Sequence, residues 1–350
     1  MKANQTGLPA SDERGFARPL ILALLALIAL AVITAIGGWL YAQNQYAGRG
    51  PETPDGADRI VMIQSGAGTG QIANRLAEAG AIESADDFRV AVRLTSNDGN
   101  LRAGEYAIPS GASMKEIIDL LIEGRSLLYP ITVPEGLTSA MIVAIVEQSE
   151  ILTGDVPETI PAEGSLLPDT YMVHRGDTRE AVLARMAEAH DEVMEELWPQ
   201  RQEGLPFDTP EEAVILASIV EKETGLAEER PEVAAVFVNR LRIPMRLESD
   251  PTIIYGLTQG VPLGRGLRRS EIDRRTDYNT YQIDGLPPTP ICNPGRASIA
   301  AVLDPPETDA LFFVADGSGG HAFASTYSEH LRNVANWRRV EAQRAAQAGQ

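Results

Sequence analysis

The hydrophobic pattern of the chain opens with an unbroken block. Pro19 to Tyr41 is 23 residues long and carries no charge. As a helix rising about 1.5 Å per residue it reaches roughly 35 Å, enough to cross a hydrocarbon layer of about 30 Å. A buried core helix would show a polar stripe, and this block has none. A signal peptide would have a shorter apolar stretch and a small-x-small cleavage site, whereas Trp39 and Tyr41 stand where interfacial anchors belong. The pattern predicts a short tail over 1–18, a transmembrane helix over 19–41 and a Gly-, Pro- and polar-rich linker over 42–58. Lys2, Arg14 and Arg18 precede the block, and only Arg49 is basic in the flank that follows. The positive-inside rule then puts the N-terminus in the cytoplasm and the bulk of the chain outside.

Beyond the linker, short apolar runs alternate with helical faces. Ile60–Ile63 reads as a strand, followed by a helix with Ile72, Ala73, Leu76 and Ala77 on one face and Gly80 as its stop. The intervening Gly66, Gly68 and Gly70 make a tight turn, not a phosphate loop, because the Lys-Ser/Thr that such a loop needs is missing. Ser84 with Asp87 caps a helix carrying Phe88, Ala91 and Val92. A strand over 104–108 follows. Ser113 and Glu116 then form a capping box before Ile117–Ile122, which stops at Gly124. Together these predict a small α+β module over 59–127. A faint echo, strand then glycine turn then helix, runs from Ile131 through Gly136 to Val146 and opens a larger α+β domain over 128–345. Within it Leu183, Met186, His190, Val193 and Leu197 form a helical stripe, so His190 is expected as a core histidine.

Composition narrows the function. The chain has 350 residues, 44% of them hydrophobic, with 30 Lys plus Arg against 49 Asp plus Glu and a formal charge of -19. Such a chain is repelled by phosphate backbones and shows no basic patch with interleaved aromatics, so nucleic acid is excluded as a partner. Cys292 is the sole cysteine, which rules out an internal disulfide and cysteine metal sites. The four histidines show no i,i+4 pairing, and no GxSxG elbow is present, so neither a metal nor a serine triad is expected.

One segment points to acid–base chemistry. Thr209-Pro-Glu-Glu212 is a capping box with proline at the first helical position. The helix it starts, Ala213 to Val220, is apolar nearly all round and belongs in a core. It ends in Glu221-Lys-Glu-Thr224. Carboxylates at the C-terminal end of a buried helix oppose the macrodipole, and desolvation disfavours their charge as well, so a raised pKa suited to a general acid is expected. A solvated helix end is the alternative, and spacing leaves both open. At 100° per residue Glu223 falls in the middle of the most apolar face with Leu216 and Ile219, while Glu221 lies at its edge with Val214 and Ala217. The stretches 246–252, 278–281, 285–290 and 293–295 mix amides, hydroxyls, aromatic rings and prolines. They suit a sugar-binding groove or a long structural loop.

The motifs Pro134-Glu-Gly136, Glu163-Gly-Ser-Leu-Leu-Pro-Asp-Thr-Tyr171, Leu216-Ala-Ser-Ile-Val-Glu-Lys-Glu-Thr224, Val238-Asn-Arg-Leu241, Leu247-Glu-Ser-Asp-Pro-Thr252, Tyr278-Asn-Thr-Tyr281, Gly285-Leu-Pro-Pro288, Asn293-Pro-Gly295 and Phe313-Val-Ala315 with Gly320-His321 resemble, in order, those of the YceG-like endolytic murein transglycosylases. Thr289, where glycine is common, and Cys292 are mild departures. The resemblance implies a LysM-like module over 59–127, a catalytic domain over 128–345 and anchorage in a bacterial cytoplasmic membrane with that domain on the periplasmic side. It implies cleavage between N-acetylmuramic acid and N-acetylglucosamine, with 1,6-anhydro ends left on nascent strands and no cofactor. It maps the catalytic glutamate onto Glu221. Asp250, Thr252, Tyr278, Asn279, Thr280, Tyr281 and Glu223 are then expected to bind sugar or orient Glu221. Peptidoglycan glycan strands are the implied partner, with peptidoglycan synthases of the membrane as further candidates.

Overall fold

A computed structural model describes residues 14–348 of the chain, which divides into two compact units, Met1–Leu127 and Leu128–Gln350. The architecture is mixed α+β. In the first unit, α1 (Arg14–Ala47) contains the apolar block and is long and apolar enough to be a membrane span or a signal sequence. The helix runs six residues past the expected span because Gln43, Asn44 and Gln45 continue its ladder until Gly48, whose N–H still reaches Asn44 O at 2.8 Å. The part of the expected tail before Arg14 lies outside the described residues.

The expected linker is not free chain. Gly50 N–H donates to Gly111 O at 3.1 Å, Thr53 N–H to Ser110 Oγ at 2.8 Å, and Arg59 reaches back to Pro51 O at 2.9 Å. The module proper pairs β1 (Arg59–Ile63) antiparallel with β2 (Gly104–Ile108). Between them run α2 (Thr69–Glu78) and α3 (Ala85–Leu94), and α4 (Met114–Glu123) follows. The caps are those the sequence signals: Ser84 Oγ accepts Asp87 N–H, Ser113 and Glu116 form the reciprocal box, and Gly124 ends α4 at φ 72°. Val61, Leu76, Phe88, Tyr106, Ile117 and Leu121 form its core.

The second unit starts with β3 (Tyr129–Thr132) antiparallel to β4 (Thr170–Val173). α5 (Ser139–Glu147) lies between these strands in sequence, and α6 (Arg179–Leu197) follows β4. His190 of α6 is buried as expected, at 9% exposure. α7 (Pro210–Glu223) packs against α8 (Arg230–Arg242) and α11 (Arg296–Leu303) to make the main core with Leu216, Ile219, Phe237 and Val302. Two shorter helices, α9 (Asp250–Thr258) and α10 (Arg269–Ile272), lie between α8 and α11 in sequence. A hairpin of β5 (Phe312–Ala315) and β6 (His321–Ala324) closes on α8, and α12 (Tyr327–Ala348) ends the unit.

Candidate active site

α7 starts where its capping box demands. Thr209 Oγ1 accepts Glu212 N–H at 3.2 Å and the Glu212 carboxylate returns to Thr209 N–H at 3.1 Å. Every residue from Ala213 to Val220 is buried. Ser218, polar inside this core, is satisfied: its hydroxyl donates to Ile215 O at 2.7 Å and accepts Ile291 N–H at 3.0 Å. That bond fastens the 291–295 loop beside the end of the helix. The last turn therefore delivers Glu221 and Glu223 into two different surroundings.

Glu221 sits in a closed clamp. Its side chain is 5% exposed. Oε2 accepts Gly295 N–H at 3.0 Å and the Ser298 hydroxyl at 2.7 Å, and Oε1 lies 3.6 Å from the Arg230 guanidinium. Arg230, itself buried, also contacts Glu135 Oε2 at 3.3 Å. Burial pushes the Glu135 carboxyl up, the Glu221 charge adds to that, and Arg230 opposes both. A side chain on Gly295 would push the Glu135 carboxylate out of this contact with Arg230. The Glu135–Arg230–Glu221 chain thus ties α7, α8, the start of α11 and the 134–136 turn together. Both hydrogen bonds fall on Oε2, and Oε1 faces the Arg230 guanidinium without a hydrogen bond among the described residues.

Glu223 has other partners. It is partly exposed, and one oxygen, Oε1, takes the Ser249 hydroxyl at 2.5 Å. Oε2 accepts no hydrogen bond from the described residues. Loss of hydration pushes its carboxyl up to about 7; the Ser249 hydroxyl opposes this, the Asp250 charge adds to it, and His321 and Arg240 oppose it. Half-occupied protonation near neutrality, with a free oxygen, is what a general acid needs. The raised carboxyl expected at the end of α7 is therefore found at Glu223. Glu221 is the acid that the family motif implies, and Glu223 stands beside it as the second candidate, two residues on in the same turn.

The surroundings of Glu223 come from distant segments. Ser249 caps α9, and Asp250 is its first residue. Tyr281 donates its hydroxyl to Asp250 Oδ1 at 2.8 Å, and burial together with the Asp250 charge pushes the phenol up. His321 is held by Glu229, at 2.7 Å from Nδ1 and 2.8 Å from its backbone N–H, and stands edge-on to Phe313. Buried Arg240 spans to Leu311 O and Leu247 O at 2.7 and 2.8 Å, fixing the hairpin and the 247–249 loop.

Three of the expected sugar ligands face inward. Thr252 and Thr280 are fully buried and bond each other at 2.9 Å; Thr280 Oγ1 also accepts Ser249 N–H at 2.9 Å. Asn279 is fully buried with its amide on the carbonyls of Ile272 and Arg274. These side chains hold the wall that presents Ser249 and Asp250 and offer no atom to a ligand. Tyr278 lies elsewhere, its hydroxyl 2.8 Å from Thr289 and its ring 5.0 Å from that of Tyr255, lining a cavity of about 610 Å³ beside the first half of α7. The structure thus gathers Glu223, Asp250 and Tyr281 and leaves Tyr278 apart. Ser249, His321, Arg240 and the Glu221 clamp were not singled out from sequence. Ser249, His321 and Arg240 lie inside the family motifs, the one signal that could have flagged them.

A partly exposed acid beside a carboxylate–phenol pair, at the end of a buried helix in an α+β domain, defines a candidate acid–base enzyme with an N-terminal apolar helix. A model of the YceG-like family matches residues 61–336, and the chain belongs to that family. It is 30% identical over 302 residues to the endolytic murein transglycosylase of Bacillus subtilis (strain 168), covering 77% of this chain and 82% of that protein. It is 28% identical over 326 residues to the endolytic murein transglycosylase of Streptococcus pneumoniae serotype 2 (strain D39), covering 79% of this chain and 57% of that longer protein. A crystal structure of a YceG-like protein from Listeria monocytogenes shares 27% identity over 78% of this chain and 98% of that one, with a TM-score of 0.47.

Proposed function

We propose that the chain is an endolytic murein transglycosylase, a lyase that cuts peptidoglycan strands with Glu223 as its acid and base. The names of the relatives supply the substrate class. The observation that carries the assignment within the site is the Glu223 carboxyl, pushed up to about 7 with one oxygen unbonded. Protonated Glu223 donates to the oxygen between N-acetylmuramic acid and N-acetylglucosamine, and that bond breaks. The resulting carboxylate then takes the proton of the muramic C6 hydroxyl as this oxygen attacks C1 of its own ring, leaving a 1,6-anhydro end. The nucleophile is intramolecular, so effective molarity replaces the second carboxylate that would otherwise activate water. The Ser249 hydroxyl fixes the rotamer of the acid, and Arg240 and His321 favour its charged form once the proton has left.

In this reading α1 anchors the protein in a bacterial cytoplasmic membrane with its N-terminus inside. The 59–127 unit is a LysM-like holder of glycan, and 128–345 is the catalytic domain on the periplasmic side. Nascent strands are then cut near where they emerge, which makes membrane peptidoglycan synthases the natural partners and strand termination the outcome. Asp250 supports a second reading, a lysozyme-type hydrolase, because its charge acts on Glu223. Digesting purified peptidoglycan with the detergent-solubilised full chain and weighing the products separates the two. Anhydro-muramic ends are expected. Reducing ends would establish hydrolysis, and strand binding without any cleavage would leave an anchored glycan-binding scaffold.

A further inference from the structure

The cavity beside the first half of α7 is built differently from the site at the end of that helix. Its walls are apolar, from Met194, Val214, Ile215 and the rings of Tyr255 and Pro290, while Glu163, Asp191 and Glu211 bring three carboxylates to it and no Lys or Arg lines it. Asp191 and Glu211 are exposed at the rim. Glu163 is partly buried, takes Ser139 N–H on its two oxygens at 3.2 and 3.1 Å, and has no cationic partner among the described residues. Burial pushes its carboxyl up and the Ser139 N–H only partly offsets this. His190, 9% exposed, also lines the cavity, and its Nε2 is buried without a partner. Its Nδ1 lies 3.4 Å from Asp191 Oδ1, so with the proton assigned to that contact Nε2 presents a lone pair. Burial pushes this imidazole down, towards the neutral form that can accept.

An unpartnered imidazole nitrogen, a partly buried carboxylate with no cationic partner among the described residues and two rim carboxylates around an apolar wall ask for a donor-rich cation on an aliphatic arm. An anion is repelled, and an uncharged sugar ring would leave the Glu163 charge without a counter-ion. No group of three metal-ligating side chains is placed here among the described residues. An alkylammonium offers three N–H donors, and its methylenes can lie on Val214, Met194 and the tyrosine ring faces.

We propose that this cavity binds the free ammonium group of a peptidoglycan stem peptide. Naming the stem peptide rests on the proposed function; the ligand chemistry does not. Ile215 and Glu223 are eight residues apart, about 12 Å along the helix axis, so the cavity reads the peptide while the acid acts on the glycan.

The test is a binding titration on the detergent-solubilised full chain. The probes are a stem tripeptide with its free side-chain amine, the same peptide with that amine acetylated, and 1,4-diaminobutane. The free-amine peptide is expected to bind at least about tenfold tighter than the acetylated one, the loss expected when buried acceptors go unpaired. Glu163→Gln, which keeps an acceptor for Ser139, should weaken it by a similar factor. The exposed pair Asp191→Asn/Glu211→Gln should weaken it about threefold without touching the core. Equal binding of the two peptides, or binding of 1,4-diaminobutane alone, overturns the proposal. Strand cleavage by the wild-type chain is scored separately. Amine discrimination without cleavage condemns the enzymatic reading and keeps the cavity, and cleavage without discrimination does the reverse.

Discussion

The last turn of α7 holds two glutamates two residues apart, and their surroundings are opposites. Around Glu221 a backbone N–H and a hydroxyl fill one oxygen and an arginine faces the other, recruited from 74, 77 and 9 residues away. Around Glu223 one hydroxyl anchors one oxygen and the other is left free beside Asp250, Tyr281 and His321. The first arrangement joins three helices and spends its hydrogen-bonding capacity on the fold. The second has a carboxyl pushed up to about 7 and one oxygen without a hydrogen bond among the described residues. Identical side chains on one helix are thus given different surroundings by what packs against them, and the proposed function reads the first as a clamp and the second as the acid.

Glu223→Gln should break the second arrangement most severely. Cleavage of purified peptidoglycan is expected to fall by about 10²- to 10⁴-fold, the usual worth of a positioned acid, with the fold intact. The same variant sharpens the electrostatic side. A carboxyl raised to about 7 favours the fold below the ordinary carboxylate range and loses that advantage as pH climbs through 7. Glu223→Gln should therefore be the more stable protein above pH 7, by on the order of 1–3 kcal/mol, in thermal melts compared at pH 5 and pH 8. Glu221→Gln should break the clamp: a buried pair loses one partner and Arg230 keeps only Glu135, so a loss of roughly 2–4 kcal/mol and a melting point lower by about 5–15 °C are expected. Its cleavage rate, measured well below that melting point, should stay within about threefold of wild type. Ser249→Ala is the mildest change. It removes the hydroxyl that draws the Glu223 carboxyl down, so the basic limb of the pH–rate profile should move up by less than about one unit.

Much of this was readable beforehand, because it is local. Capping boxes at Ser113 and Thr209, the Gly124 stop, the buried stripe of α6 and the long apolar helix each follow from residues within a few positions of one another. Periodicity also placed Glu223 at the centre of the apolar face of α7, and that signal anticipated its loss of hydration. The family resemblance pointed instead to Glu221. The contacts of Glu221 were not legible locally, since they arrive from 295, 298 and 230. The same distance effect explains Thr252, Asn279 and Thr280. Polar residues in a loop look available for sugar, and only the folded loops show their polar atoms already turned inward onto Ser249 and onto the carbonyls near α10. The partners of His321 and Arg240 were hidden for the same reason.

The central claim concerns one proton, and difference infrared spectroscopy reads it directly. A carboxylic C=O band of the full chain, titrated against pH, should disappear with a midpoint near 7, be missing from Glu223→Gln and persist in Glu221→Gln. A band that survives in Glu223→Gln and vanishes from Glu221→Gln would contradict the account.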